Sequence, residues 1–236
     1  MKKIKNILFI LAIFIICCSQ EHERKDENII FSNNSQFGID ISNHQGKIDW
    51  DKVKDWEGHK INFIYIKATE GATYVDKSYQ INITQARKRG YLVGSYHYFR
   101  TTTSPEKQFE IFVKNVKKDQ QDLIPLVDVE EKKNWDDKTF HKNFKKFLEL
   151  VENHYGKKPL IYTVNSFYNH NLSGKYKDCK FLIGRYGKNS PNMKDNHDWA
   201  IWQFSESGKI AGIPKPVDID ALNSNVELKS LLLKDE

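Results

Sequence analysis

From residue 37 onward, short apolar β-branched or aromatic runs alternate with longer stretches whose apolar residues recur at three- and four-residue spacings. Eight runs read as strands: FGIDIS, NFIYIKAT, YLVGSYHYF, LIPLVDVE, PLIYTV, KFLIGRYG, AIWQFS and PVDIDA. Between the early ones, Tyr79–Arg89, Pro105–Lys117 and Asp137–Tyr155 carry the helical period. Ser104 before Pro105 is an N-terminal cap followed by a favoured first helical residue, and Gly90 and Gly156 stand where helices end. Strand alternating with helix predicts a parallel sheet, because parallel neighbours need a crossover of about 10–12 residues or more. After PLIYTV the intervals shrink to about half, too little for full helices. The pattern therefore predicts an α/β fold: an irregular (β/α) barrel of eight strands, with helices missing or shortened after the later strands, (β/α)5(β)3-like.

A barrel of this kind carries chemistry at the C-terminal ends of its strands, and acidic residues cluster there. Asp40 lies late in the first run, Asp128 and Glu130 end the fourth, and Asp218 and Asp220 lie in the eighth, which neighbours the first once the barrel closes. Residues two apart on a strand share a face, so Asp128 and Glu130 point together while Val127 and Val129 point away. Ile39 and Ile41 flank Asp40 in the same manner, as Val217 and Ile219 flank Asp218. Two carboxyls sharing one site hold a proton at a pH where a lone carboxylate has lost it. An isolated D-x-E is also what a solvated turn looks like, but turn acids do not need this alternation.

The 13% aromatic content excludes a disordered chain. A formal charge of +6 favours anionic polymers or surfaces, yet the lysines are scattered and form no aromatic-interleaved strip for nucleic acid. There is no HExxH, CxxC or close histidine set for a metal, no phosphate loop and no G-x-S-x-G elbow; no metal and no cofactor are expected. His97 reads as a hydrogen-bonded structural histidine. The first residues, MKKIKNILFILAIFIICCSQ, have a basic start and an apolar run from Ile7 to Ile16, about half the length of a membrane span. The segment resembles a bacterial lipoprotein signal, with Cys18 as the lipidated residue. The expected division is a signal segment over 1–18, a polar flexible tether over 19–36 and a folded domain over 37–236. Export follows, with the chain anchored to a membrane through lipid, in the periplasm or at the cell surface. Cys179 is then the only thiol besides the lipidated one, which leaves no internal disulfide.

Seven fragments, in order, carry a second resemblance: GIDIS, YIKATEG, GSYHYFR, LVDVEE, IYTV, AIWQFS and VDID. The chain resembles the glycoside hydrolase family 25 lysozymes, the Chalaropsis-type muramidases, from Phe37 to about Leu228. The resemblance implies a catalytic barrel lacking later helices and hydrolysis of the β-1,4 bond between N-acetylmuramic acid and N-acetylglucosamine in peptidoglycan, by a monomer. It makes Glu130 the proton donor and Asp128 its partner, stabilising the cationic transition state or orienting the acetamido group. Asp40 and Asp218 complete an acidic floor. Tyr96 and Tyr162, with Gln203 and Trp202, are the expected glycan contacts; Tyr98 and Tyr186 lie near strand ends, and Lys67 and Glu70 form either a rim ion pair or substrate contacts. Two alternatives stay open: a non-catalytic peptidoglycan-binding lipoprotein, and a chitinase-like glycosidase. Against the latter, Leu123 and Leu126 stand where the longer D-x-x-D-x-D-x-E pattern has acids.

Overall fold

The computed structural model describes Phe31 and residues 34–234. Cys17, Cys18 and most of the expected tether lie outside the described residues. Eight strands form the barrel: β1 (Phe37–Ile41), β3 (His59–Glu70), β5 (Leu92–Tyr98), β6 (Leu126–Asp128), β7 (Leu160–Val164), β8 (Phe181–Gly184), β9 (Ile201–Gly208) and β10 (Val217–Leu222). The sheet closes through β1, which pairs with β10 on one side and β3 on the other. Two short strands, β2 (Asp55–Trp56) and β4 (Tyr74–Val75), pair antiparallel with β3 outside this ring.

Helices α1 (Tyr79–Lys88), α2 (Pro105–Asn115) and α3 (Asp137–Tyr155) follow the early strands as the period requires. Asp136 caps α3 by accepting from Thr139 N–H at 2.7 Å, and Gly156 ends it in the left-handed conformation. One stripe of α3, comprising Phe140, Phe144, Phe147, Val151 and Tyr155, is buried against the barrel. After β7 there is only a single turn, α4 (Asn165–Phe167), running into the π-helical segment Tyr168–Leu172. The parallel sheet expected from strand alternating with helix runs from β1 to β9, and the irregular end of the barrel departs from it: β10 runs antiparallel to both β9 and β1. Residues 209–216 are too few to carry the chain back across the sheet, so the strand returns by direct reversal.

Alternation along the strands sorts the core into two compartments. Outside, Val127, Ile161 and Ile183 meet the helical layer, and His97 stacks on Phe147 with ring centroids 4.9 Å apart. The His97 Nδ1 faces Thr69 Oγ1 at 2.8 Å and burial lowers its pKa to about 4, which makes it the structural histidine expected. Inside, large rings fill the barrel where glycines leave room. A Cβ on Gly94 would stand 2.3 Å from the Tyr65 ring. Where helices are missing, aromatic rings cover the sheet instead: Phe31 packs on Phe37 and Phe204 with centroids 5.0 and 4.9 Å apart, and Trp56 packs on the same two rings.

Candidate active site

At the strand ends lies a cavity of ≈ 550 Å³ whose lining includes Asp40, Tyr96, Asp128, Glu130, Tyr162, Gln203 and Asp218. Seven of the eight sequence-nominated catalytic and glycan-contact residues thus converge. Trp202 does not, and its assignment as a glycan contact is corrected. It is 1% exposed, faces the outer aromatic layer against Phe204, and donates its indole N–H to Arg185 O at 2.7 Å. Gln203, its chain neighbour, takes the inward position that parity denies to Trp202.

Asp128 ends β6, and the extended backbone continues beyond it: Val129 N–H donates to Tyr162 O at 3.0 Å, and Glu130 follows on the same face as Asp128. Burial raises both carboxyls above their ordinary range. Asp128 is raised further by the charge of Glu130; their mutual hydrogen bond, Arg100 and Lys67 pull Glu130 back down. Burial thus favours retention of a proton in this pair, against the pull of the two cations. Among the described residues, the lysine that lines the cavity, Lys67, stands on this side, with Arg100 close by. Lys67 Nζ lies 2.6 Å from Glu70 Oε2 and 5.1 Å from the Tyr98 ring centre. Arg100 lies over the same ring at 4.2 Å, bonds Glu70 at 2.6 Å and holds Glu131 at 2.9 Å. The ion-pair reading of Lys67 and Glu70 is the one the geometry bears out, with Lys67 also facing the cavity.

Across the cavity, Asp40 and Asp218 are direct partners on the antiparallel β1–β10 ladder. Burial is the first cause of the rise in both; Asp40 is pushed well up, with Asp218 and Asp220 adding to it, and Asp218 is raised to about 6. Beneath them Asp220 is fully buried, and neither of its carboxyl oxygens has a hydrogen-bond partner. Burial and the neighbouring Asp218 raise it well above the ordinary aspartate value, favouring its neutral form.

Some lining residues escaped the sequence reading. His44 and Gln45 come from the turn after β1, where Gln45 accepts from Ser42 N–H at 2.8 Å and donates to Pro216 O at 3.0 Å. The S-x-x-Q spacing of a capping box was the available signal. Glu206 lines the cavity with Gln203 although the two are three apart, because the β9–β10 register shifts between them and breaks the alternation. Among the described residues no group of three or more His, Cys, Asp or Glu is arranged to hold a metal ion.

Residues 39–213 match the family model described as glycosyl hydrolases family 25. The chain belongs to this family. A family 25 glycosyl hydrolase structure from Bacillus anthracis is 31% identical and superposes with a TM-score of 0.74, covering 84% of this chain and 94% of that one. Among sequences, the protein YegX of Escherichia coli K12 is 36% identical over 192 residues, 80% of this chain and 70% of its own length. An autolytic lysozyme of Clostridium acetobutylicum is 32% identical over 189 residues, of which the match covers 80% of this chain and 56% of the relative. The acids of the family 25 barrel described above are thus the candidate machinery of a glycoside hydrolase.

Proposed function

We propose that this family 25 hydrolase is a lysozyme that cleaves the β-1,4 bond between N-acetylmuramic acid and N-acetylglucosamine in peptidoglycan. The observation that carries this reading is the Asp128–Glu130 pair, two neighbouring carboxyls on one face of an open, tyrosine-lined cavity, both raised by burial. Glu130 gives its proton to the leaving glycosidic oxygen as the C–O bond breaks. Asp128 orients the neighbouring acetamido group, whose carbonyl oxygen bonds to the anomeric carbon and forms a cyclic intermediate. Glu130, now ionised, takes a proton from water, which opens that ring with overall retention. Tyr96 and Tyr162 keep their protons, because burial and the surrounding carboxylates raise both; Tyr162 donates its own to Gln203 Oε1 at 2.8 Å, and the two rings line the space for the sugars.

The reading includes location. The protein works as a monomer anchored through lipid on Cys18, exported to the periplasm or cell surface, within reach of the wall. Among the described residues no helix is long and apolar enough to cross a membrane. Fatty-acid labelling of cells carrying Cys18→Ala tests the anchor: persistence of label overturns it.

Digestion of purified peptidoglycan, followed by borohydride reduction, tests the activity. New N-acetylmuramitol is expected. N-acetylglucosaminitol would mean the other glycosidic bond is cut; binding without any new reducing end would support a non-catalytic wall-binding protein. Cleavage of chitin oligomers in preference to peptidoglycan would support the chitinase-like alternative.

A further inference from the structure

Beside the catalytic cavity the chain builds a second pocket of different chemistry. Two connections lead to it from residues that line the cavity: residues 99–104 run from Tyr98 to α2, and residues 131–136 run from Glu130 to α3. A charged groove holding Glu70, Arg100 and Glu131 lies alongside, and Thr102 and Thr103 line both groove and pocket. The pocket itself, ≈ 620 Å³, is lined by Thr101 to Ser104, by Asn134 and Trp135, and by Asn143 of α3. Trp135 follows Glu130 by five residues in the chain, so the two backbones lie within about 18 Å of each other.

None of these lining side chains ionises, although 29% of the chain is charged. The charges of the second connection are paired off elsewhere. Arg100 and Lys133 both hold Glu131, at 2.9 and 3.1 Å; Lys132 holds Asp137, and Asp136 caps α3. What lines the pocket is hydroxyl, carboxamide and indole. Trp135 has one ring contact among the described residues, to the buried Phe99 with centroids 5.9 Å apart and planes at 61°, and stays half-buried. Its indole N–H, the carboxamides of Asn134 and Asn143 and the hydroxyls of Thr102 and Thr103 make no hydrogen bond with any described residue. Thr101 adds a buried group to these. It is 1% exposed and its Oγ1 has no partner, a cost that a bound polar group would remove.

We propose that this pocket is a distal sugar site, which holds an N-acetylglucosamine unit of the glycan strand beyond the units that fill the catalytic cavity. A sugar ring has an apolar C–H face and a rim of hydroxyls, and its acetamido group adds one donor and one acceptor. The half-buried indole takes the face; the threonine hydroxyls and the two carboxamides take the rim. The neutral lining also selects among wall components, because the carboxylates of a stem peptide would find no cation in the pocket. The inference rests on the lysozyme reading for its substrate, whereas sugar binding at Trp135 is measurable without cleavage.

The test therefore has two arms. In the first, Glu130→Gln protein labelled with ¹⁵N is titrated by NMR with the trimer of N-acetylglucosamine, the Trp135 indole signal being assigned with Trp135→Phe. A saturable shift of that signal is expected, with binding weakened at least about three-fold by Asn134→Ala, whose exposed side chain bonds nothing in the fold. An indole signal that the sugar leaves unmoved, or that only a free stem tripeptide moves, overturns the proposal. In the second arm, Trp135→Phe and Asn134→Ala are expected to raise KM on long peptidoglycan strands about three- to ten-fold with kcat within about two-fold, while a tetrasaccharide that fills only the catalytic cavity is cut as by wild type. Equal losses on both substrates would make these residues structural and overturn the site, as would an unchanged KM on long strands. Absence of cleavage by the wild type overturns the lysozyme reading alone; the indole titration, which needs no turnover, then supports or overturns the sugar site by itself.

Discussion

Asp128 and Glu130 stand at the end of a parallel strand, beside β5 with its packing against α3, and face Lys67 and Arg100. Asp40 and Asp218 meet across an antiparallel ladder whose outer side is covered near Phe37 by aromatic rings, with an amide in place of a cation. The residue types are nearly the same and the environments oppose each other. Near the cations, burial raises Glu130 while Arg100 and Lys67 oppose the rise, a balance that suits a group that must give up a proton and regain it within one turnover. Across the cavity, where no ion pair among the described residues reaches Asp40 or Asp218, burial and neighbouring acids raise both carboxyls. Catalytic role is thus set by what surrounds a carboxyl as much as by its position in a motif.

The comparison breaks most directly at Glu130. Glu130→Gln fills the same space without a transferable proton and is expected to lower kcat on the order of 10³-fold with the thermal transition nearly unchanged; full turnover by the folded variant would remove Glu130 as the acid. Asp128→Asn is expected to cost on the order of 10²-fold, since the acetamido group loses the carboxyl that orients it. Comparable kinetics to wild type would undo the paired-carboxylate account.

Removing a cation sharpens the contrast. Lys67 favours the ionised forms of Asp128 and Glu130, so Lys67→Met should raise the pKa of the pair. Since the acid works only while protonated, the alkaline limb of the kcat profile moves to higher pH, with a loss of roughly ten-fold or less at neutrality. An alkaline limb that moves down, or stays, contradicts the cation's assigned effect.

The smallest effect is on stability. Asp218 has a folded pKa of about 6 against an ordinary 3.8, so between these values the folded protein binds more protons than the unfolded chain. Its contribution is favourable at lower pH and is lost as pH rises through 6. Asp218→Asn should therefore gain roughly 1–3 kcal/mol over wild type at pH 7.5 and nothing near pH 4, as read from denaturant midpoints. An equal gain at both pH values would assign the effect to packing instead.

How far the site could be read in advance follows from where the strand period holds. Alternation along FGIDIS and LVDVE turned Asp40, Asp128 and Glu130 inward, and the buried stripe of α3 followed from its spacing alone. The AIWQFS run exposed the limit: it nominated Trp202 and Gln203 together, although adjacent strand residues face opposite ways and only one of them could enter the cavity. Glu206 was invisible because a register shift places it off the alternating pattern.

By itself the sequence determined the family, the eight strands, the early helices and the convergence of acids, because each depends on local periodicity or on a motif that must lie at a strand end. Only the tertiary structure decided that β10 runs antiparallel, that Gln203 reaches Asp40 and that Lys67 and Arg100 meet over the Tyr98 ring. These contacts join residues far apart in the chain, Gln203 and Asp40 being separated by 163 positions. Their electrostatic consequences depend on distances and burial that exist only once the barrel has closed.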